Sequence, residues 1–119
     1  MIIRTNEQEC VNQENYAGGN GTVEFRTLVP DALLKKEAKL FKLLSFQPGA
    51  GLGEHAHIDN YEIYYILKGH GIVVDNGEEV EVTAGDIVYT ADGASHSIRD
   101  AGEGELVMLA CIIYENMAE

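Results

Sequence analysis

Three imidazoles and one carboxylate in this chain are spaced so that they can share a single metal ion. His55 and His57 are separated by one residue. In an extended strand, residues i and i+2 project from the same face, so both rings can reach one point. Glu62 follows in the run Tyr61-Glu62-Ile63-Tyr64-Tyr65-Ile66-Leu67. Glutamate is depleted in strands, and a carboxylate among such neighbours is costly unless a cation answers its charge. His96 comes later, after the turn sequence Ala91-Asp92-Gly93. Three nitrogen donors and one oxygen donor suit a first-row divalent ion, with open positions if that ion is octahedral. A closed tetrahedral zinc site needs the same number of donors. An isolated His-x-His pair, by contrast, would read as two polar groups on an edge strand.

The elements that must position these residues are short β-type runs separated by turn residues. Residues 1–21 are polar, end in Gly18-Gly19-Asn20-Gly21, and read as a weakly ordered N-terminal arm. Residues 22–119 read as one domain. Strand-like runs cover 22–29, 40–46, 61–67, 71–75, 78–83, 86–90, 95–99 and 105–114, with one or two helical turns expected over Ala32 to Ala38. Gln47-Pro48-Gly49 is a turn signal, and Asn76-Gly77 is the sequence of a two-residue hairpin turn. Strands of this length at such spacing predict an all-β antiparallel sandwich or barrel. By the period of two, Tyr64 and Ile66 share the face of Glu62 and are candidate pocket residues. His70 falls in a turn, away from the cluster, and the acidic groups at Glu78-Glu79 and Glu103 to Glu105 read as solvated turns.

Charge and apolar content narrow the possible partners. The 8 Lys and Arg residues against 20 Asp and Glu give a formal charge of −12, which repels nucleic acid and anionic membrane surfaces. The longest apolar run, Leu106 to Tyr114, is far short of the roughly 20 residues that span a bilayer as a helix. The N-terminus lacks the basic-then-apolar pattern of a signal peptide. Cys10 and Cys111 are too few for a disulfide scaffold and are expected as reduced thiols, so the expected location is the cytoplasm.

The glycines around the candidate ligands add a longer pattern. Gly49, His55, His57, Glu62 and Gly69 form G-x5-H-x-H-x4-E-x6-G, and Gly85, Gly93 and His96 fall in G-x5-A-x-G-x2-H. Together these resemble the two signature motifs of the cupin superfamily, over about residues 22–114. The resemblance implies a double-stranded β-helix, or jelly-roll barrel, with His55, His57, Glu62 and His96 as metal ligands. The second motif departs twice, with Ala91 where the family usually has Pro and Asp100 where it usually has Asn. Neither departure falls on a ligand.

The chain is similar to one barrel of oxalate decarboxylase. That resemblance implies one divalent transition metal per chain, manganese first and iron, zinc or nickel as alternatives, with a small carboxylate or other oxygen-rich metabolite as ligand. Fold alone does not fix the chemistry. A decarboxylase-like or oxygenase-like enzyme and a non-catalytic binder or sensor both fit, and no catalytic acid is identifiable. Glu54 and Asp59 are rim candidates for acid or base.

A homodimer is the last expectation. Leu40 to Phe46 has Leu40, Leu44 and Phe46 on one face and Phe41 and Leu43 on the other. Leu106 to Tyr114 is apolar on both alternating sets. One set from each run fills a barrel, and the other needs cover.

Overall fold

The computed structural model describes residues 1–102 and 104–115. Ten strands occur among them. These are β1 (Cys10–Glu14), β2 (Thr22–Thr27), β3 (Ala38–Phe46), β4 (Gly51–Ala56), β5 (Asn60–Lys68), β6 (His70–Asp75), β7 (Glu78–Thr83), β8 (Ile87–Thr90), β9 (Ser95–Asp100) and β10 (Leu106–Tyr114). They form two antiparallel sheets, ordered β1-β2-β3-β10-β5-β8 and β4-β9-β6-β7. The architecture is the expected all-β jelly roll.

Alternation along the strands builds the core between the sheets. Leu106, Met108, Ala110 and Ile112 of β10 are buried, as are Glu62, Tyr64 and Ile66 of β5. Leu44 and Phe46 of β3 and Val23 and Phe25 of β2 extend the same layer, opposite Val73 and Ile98 of the smaller sheet. The second set of β10, Val107, Leu109, Cys111 and Ile113, is half-buried beside Phe41 and Leu43. Asn76 and Gly77 both take positive φ, 51° and 92°, as a type I′ hairpin turn demands. The turn joins β6 to β7.

Three stretches differ from the sequence expectation. Part of the expected arm is a strand: β1 pairs with β2 from Cys10 opposite Arg26 to Glu14 opposite Thr22. All five of its side chains are exposed, so nothing in its sequence carries a buried alternation. The expected helical stretch is only a 3-10 turn, Asp31–Leu34. Lys35 at φ 63° ends it, and β3 already begins at Ala38. The stretch around the rim candidate Glu54, which lies outside the expected strand-like runs, is β4. Within the acidic group Glu103 to Glu105, Glu103 lies outside the described residues.

Candidate metal centre

A β-bulge sets the direction of the first histidine. In the β4–β9 pair, Leu52 opposes Ile98 and His55 opposes His96, with a register shift between them. Two residues of β4, Gly53 and Glu54, therefore span one residue of β9, Ser97. Leu52 and His55 are three residues apart, so regular alternation would turn His55 to the opposite face; because the bulge absorbs the extra residue, both face inward. Gly53 is required here. A Cβ on it would overlap the carbonyl oxygen of Ala17, because the loop around Tyr16–Gly18 packs directly on β4. His57 follows the end of β4, and its backbone is held by Ala94 and Gly93. Glu62 comes from β5 and His96 from β9.

The four side chains converge. One donor atom from each of His55, His57, Glu62 and His96 lies within 4.8 Å of the others. The Nε2 atom of His96 lies 2.9 Å from that of His55 and 3.2 Å from that of His57. Glu62 Oε1 lies 2.8 Å from His57 Nε2, 3.0 Å from His96 Nε2 and 3.6 Å from His55 Nε2. His57, Glu62 and His96 are buried, and His55 is half-buried at the open side.

Outer hydrogen bonds decide which nitrogens face the centre. His55 Nδ1 is 2.8 Å from the Gly53 carbonyl and His57 Nδ1 is 2.7 Å from Asn60 Oδ1. Both partners are acceptors, so Nδ1 carries the proton in each ring and Nε2 of the neutral ring presents a lone pair. His96 Nδ1 lies 2.7 Å from Thr90 Oγ1, a hydroxyl that can accept from the same tautomer. Glu62 Oε1 is buried without a hydrogen-bond partner. In that tautomer set, three lone pairs and a buried carboxylate oxygen share one point, which is unfavourable unless a cation or a shared proton sits there.

The ionisation equilibria reflect that crowding. The Glu62 contact raises the pKa of His57 despite burial, which opposes the charge. Burial pushes Glu62 upward, but the rings of His55, His57 and His96 outweigh it and hold the carboxyl well below its usual range. Burial lowers His96. Tyr64 is pushed far up by burial and stays a neutral phenol. Its hydroxyl lies 3.2 Å from His96 Nε2, and its ring stacks on His96 at 4.9 Å between centroids.

The centre opens into a cavity of about 440 Å³. Tyr64 is among its lining residues. Ile66 shares the same strand face but lies fully buried in the core, and is not among the cavity-lining residues. Glu54 is exposed on the opposite face of β4, where it accepts from Ser95 Oγ at 2.9 Å. Asp59 is exposed and does not line the cavity either. His70 is exposed at the start of β6. Three polar cavity residues escaped sequence reasoning. Tyr16 packs on Phe25 at 5.0 Å from the N-terminal loop. Asn60 orients His57, and Lys39 lines the wall formed by β3. Their signals are tertiary, since none is spaced from the histidines in any periodic way.

The sequence profile described as Cupin domain matches residues 42–112. The chain belongs to the cupin family. This cupin is 40% identical over 113 residues to the oxalate-binding protein of Thermotoga maritima, covering 95% of this chain and 93% of that protein. It also superimposes with a TM-score of 0.91 on a crystal structure of a predicted oxalate decarboxylase from Thermotoga maritima. That match has 39% identity and covers 96% of this chain and 99% of the other. KdgF from a Halomonas species shares the fold at a TM-score of 0.73 and 16% identity, covering 98% of this chain and 96% of that one. For this cupin, the His-His-Glu-His group is a set that can hold a metal ion, next to a cavity that can admit a small molecule.

Proposed function

We propose that the protein binds one divalent transition metal per chain through His55, His57, Glu62 and His96, and uses it to capture a small carboxylate such as oxalate. The supporting observation is Glu62 Oε1, buried and unpartnered among three Nε2 atoms. Adjacent ligands about 2.1 Å from a common ion stand roughly 3 Å apart, so the 2.8 to 3.6 Å separations around Oε1 fit the edges of a coordination sphere. Nitrogen and carboxylate donors without thiolate suit iron, zinc, nickel or manganese, and the resemblance to oxalate decarboxylase is what puts manganese first. A bound ion would supply the positive charge that draws in and chelates the carboxylate.

The ligand class follows from the oxalate-binding relative, which spans nearly the whole chain. Binding without turnover is the favoured activity, because neither carboxyl of Glu54 or Asp59 reaches the cavity. A decarboxylase-like reaction has one structural argument, the neutral Tyr64 hydroxyl beside His96, which can donate to a metal-bound ligand. The same proposal includes a homodimer, formed through the outer face of β3, β10, β5 and β8, and a cytoplasmic location in which Cys10 and Cys111 stay reduced.

Elemental analysis of the purified protein, followed by titration with oxalate in the manganese and metal-free forms, tests the proposal. One metal per chain and oxalate binding confined to the loaded form are expected. Equal binding by both forms would contradict direct coordination.

A further inference from the structure

We propose that Lys39 selects anionic ligands at this cavity, and that the ligand class is doubly charged small carboxylates rather than neutral chelators. This rests on the metal and carboxylate reading above. The geometry begins with a second bulge. In the β3–β10 pair, Ile112 opposes Leu40 but Ile113 opposes Ala38, which leaves Lys39 without a partner. Leu40 packs against the core. Strict alternation would send its neighbour Lys39 to the opposite face, alongside Phe41. The inserted residue breaks that alternation, and Lys39 lines the cavity together with Leu40 and Ile112. Bulges of this kind re-aim single side chains, and here the side chain carries a charge.

The charge is not consumed elsewhere. Among the described residues, Lys39 takes part in no ion pair within 4.0 Å, although the chain carries a net −12. Lys39 is the one Lys or Arg among the described cavity-lining residues. Charge balance then names the ligand. Glu62 and a divalent ion leave one positive charge at the centre. A dicarboxylate dianion turns that into one negative charge, which Lys39 neutralises. Because Lys39 is exposed at the mouth, it also offers an approaching anion an attractive path, one that salt screens.

The test compares the wild type with Lys39→Gln and Lys39→Arg, each loaded with Mn(II), by calorimetry with oxalate, malonate and succinate. Imidazole serves as a neutral metal-binding probe. Manganese stoichiometry and thermal midpoint check that the variants fold and load. Lys39→Gln is expected to keep one manganese, bind imidazole as the wild type does, and bind its best dicarboxylate about tenfold more weakly, or about 1.4 kcal/mol. The deficit should shrink at high salt, and Lys39→Arg should restore most of the affinity. Equal dicarboxylate affinity in the wild type and Lys39→Gln overturns the role of Lys39 while leaving the metal and carboxylate reading intact. A manganese-loaded wild type that binds none of the three acids overturns both.

Discussion

His55 and His96 sit directly opposite each other across the β4–β9 pair, with their Nε2 atoms 2.9 Å apart. Two unprotonated nitrogens at that distance repel unless something positive lies between them. Each ring is locked from behind, His55 by the Gly53 carbonyl and His96 by Thr90. His96 cannot rotate away without leaving the buried Thr90 hydroxyl unpaired. The fold therefore holds its four donors converged on one point, which lowers the reorganisation that binding requires.

Removing a donor should remove the ion. His57→Ala is expected to abolish stoichiometric metal, while His70→Ala should leave it unchanged, because His70 is exposed on β6 outside the cluster. Elemental analysis reads both. In the wild type, metal at one hundred times its dissociation constant should add about 2.7 kcal/mol to stability by mass action.

The outer hydrogen bonds should matter nearly as much. Asn60→Ala frees the Nδ1 side of His57, and Thr90→Val does the same for His96. Each is expected to weaken metal affinity by about 10- to 100-fold without changing the number of ions bound. Competition against a chelator measures this. Unaltered affinity in both variants would mean that the ring orientations are set by packing alone.

Metal binding should depend on pH with a defined sign. The raised pKa of His57 means its proton stabilises the metal-free fold below pH 6.5, a contribution lost as pH rises through the raised value. Glu62 and His96 run the other way. Held below their ordinary values of 4.5 and 6.5, they stabilise the fold above those values and lose that contribution as pH falls. An ion must displace the His57 proton. Affinity is therefore expected to rise about tenfold per pH unit near neutrality for each proton released, then level off above the raised value. Titrations in buffers of different ionisation enthalpy count that proton.

The ligand spacing was legible in the sequence because it is a matter of short chain distances, although the bulge that aims His55 was not. His55, His57 and Glu62 lie within eight residues, and the glycine pattern around them is equally local. The hairpin at Asn76-Gly77 was legible for the same reason. β4 was not, since Gly51 and Gly53 read as loop, and only the packing of the Tyr16–Gly18 turn shows why glycine is needed there. Lys39 was also invisible. Its direction depends on a register slip against β10, a strand more than sixty residues away in the chain. Tyr16 reaches the cavity through loop docking, which leaves no periodic trace.

That docking makes a further prediction. Gly53→Ala places a methyl group against the Ala17 carbonyl and disturbs the residue whose own carbonyl anchors His55. A loss of about 1 to 3 kcal/mol in stability is expected from the forced shift, together with weaker metal binding. Thermal melts of the metal-free and loaded forms separate the two effects.

The outer face of the larger sheet should carry a second subunit. Tyr89 and Ile87 are 60% and 57% exposed there, beside half-buried Ile63 and Tyr61. Light scattering is expected to give about twice the 13.0 kDa chain mass. Tyr89→Glu should yield a monomer that still binds metal, since residue 89 faces away from the cavity. A wild-type monomer at micromolar concentration would show that this face stays open.

The central claim is that a metal held by His55, His57, Glu62 and His96 coordinates a small carboxylate directly. Electron paramagnetic resonance of the Mn(II)-loaded protein with carbon-13 oxalate tests it in one sample. Resolved coupling from the labelled carbons, together with nitrogen coupling from the imidazoles, is the predicted result. Nitrogen coupling with no carbon-13 coupling at saturating oxalate would contradict the account.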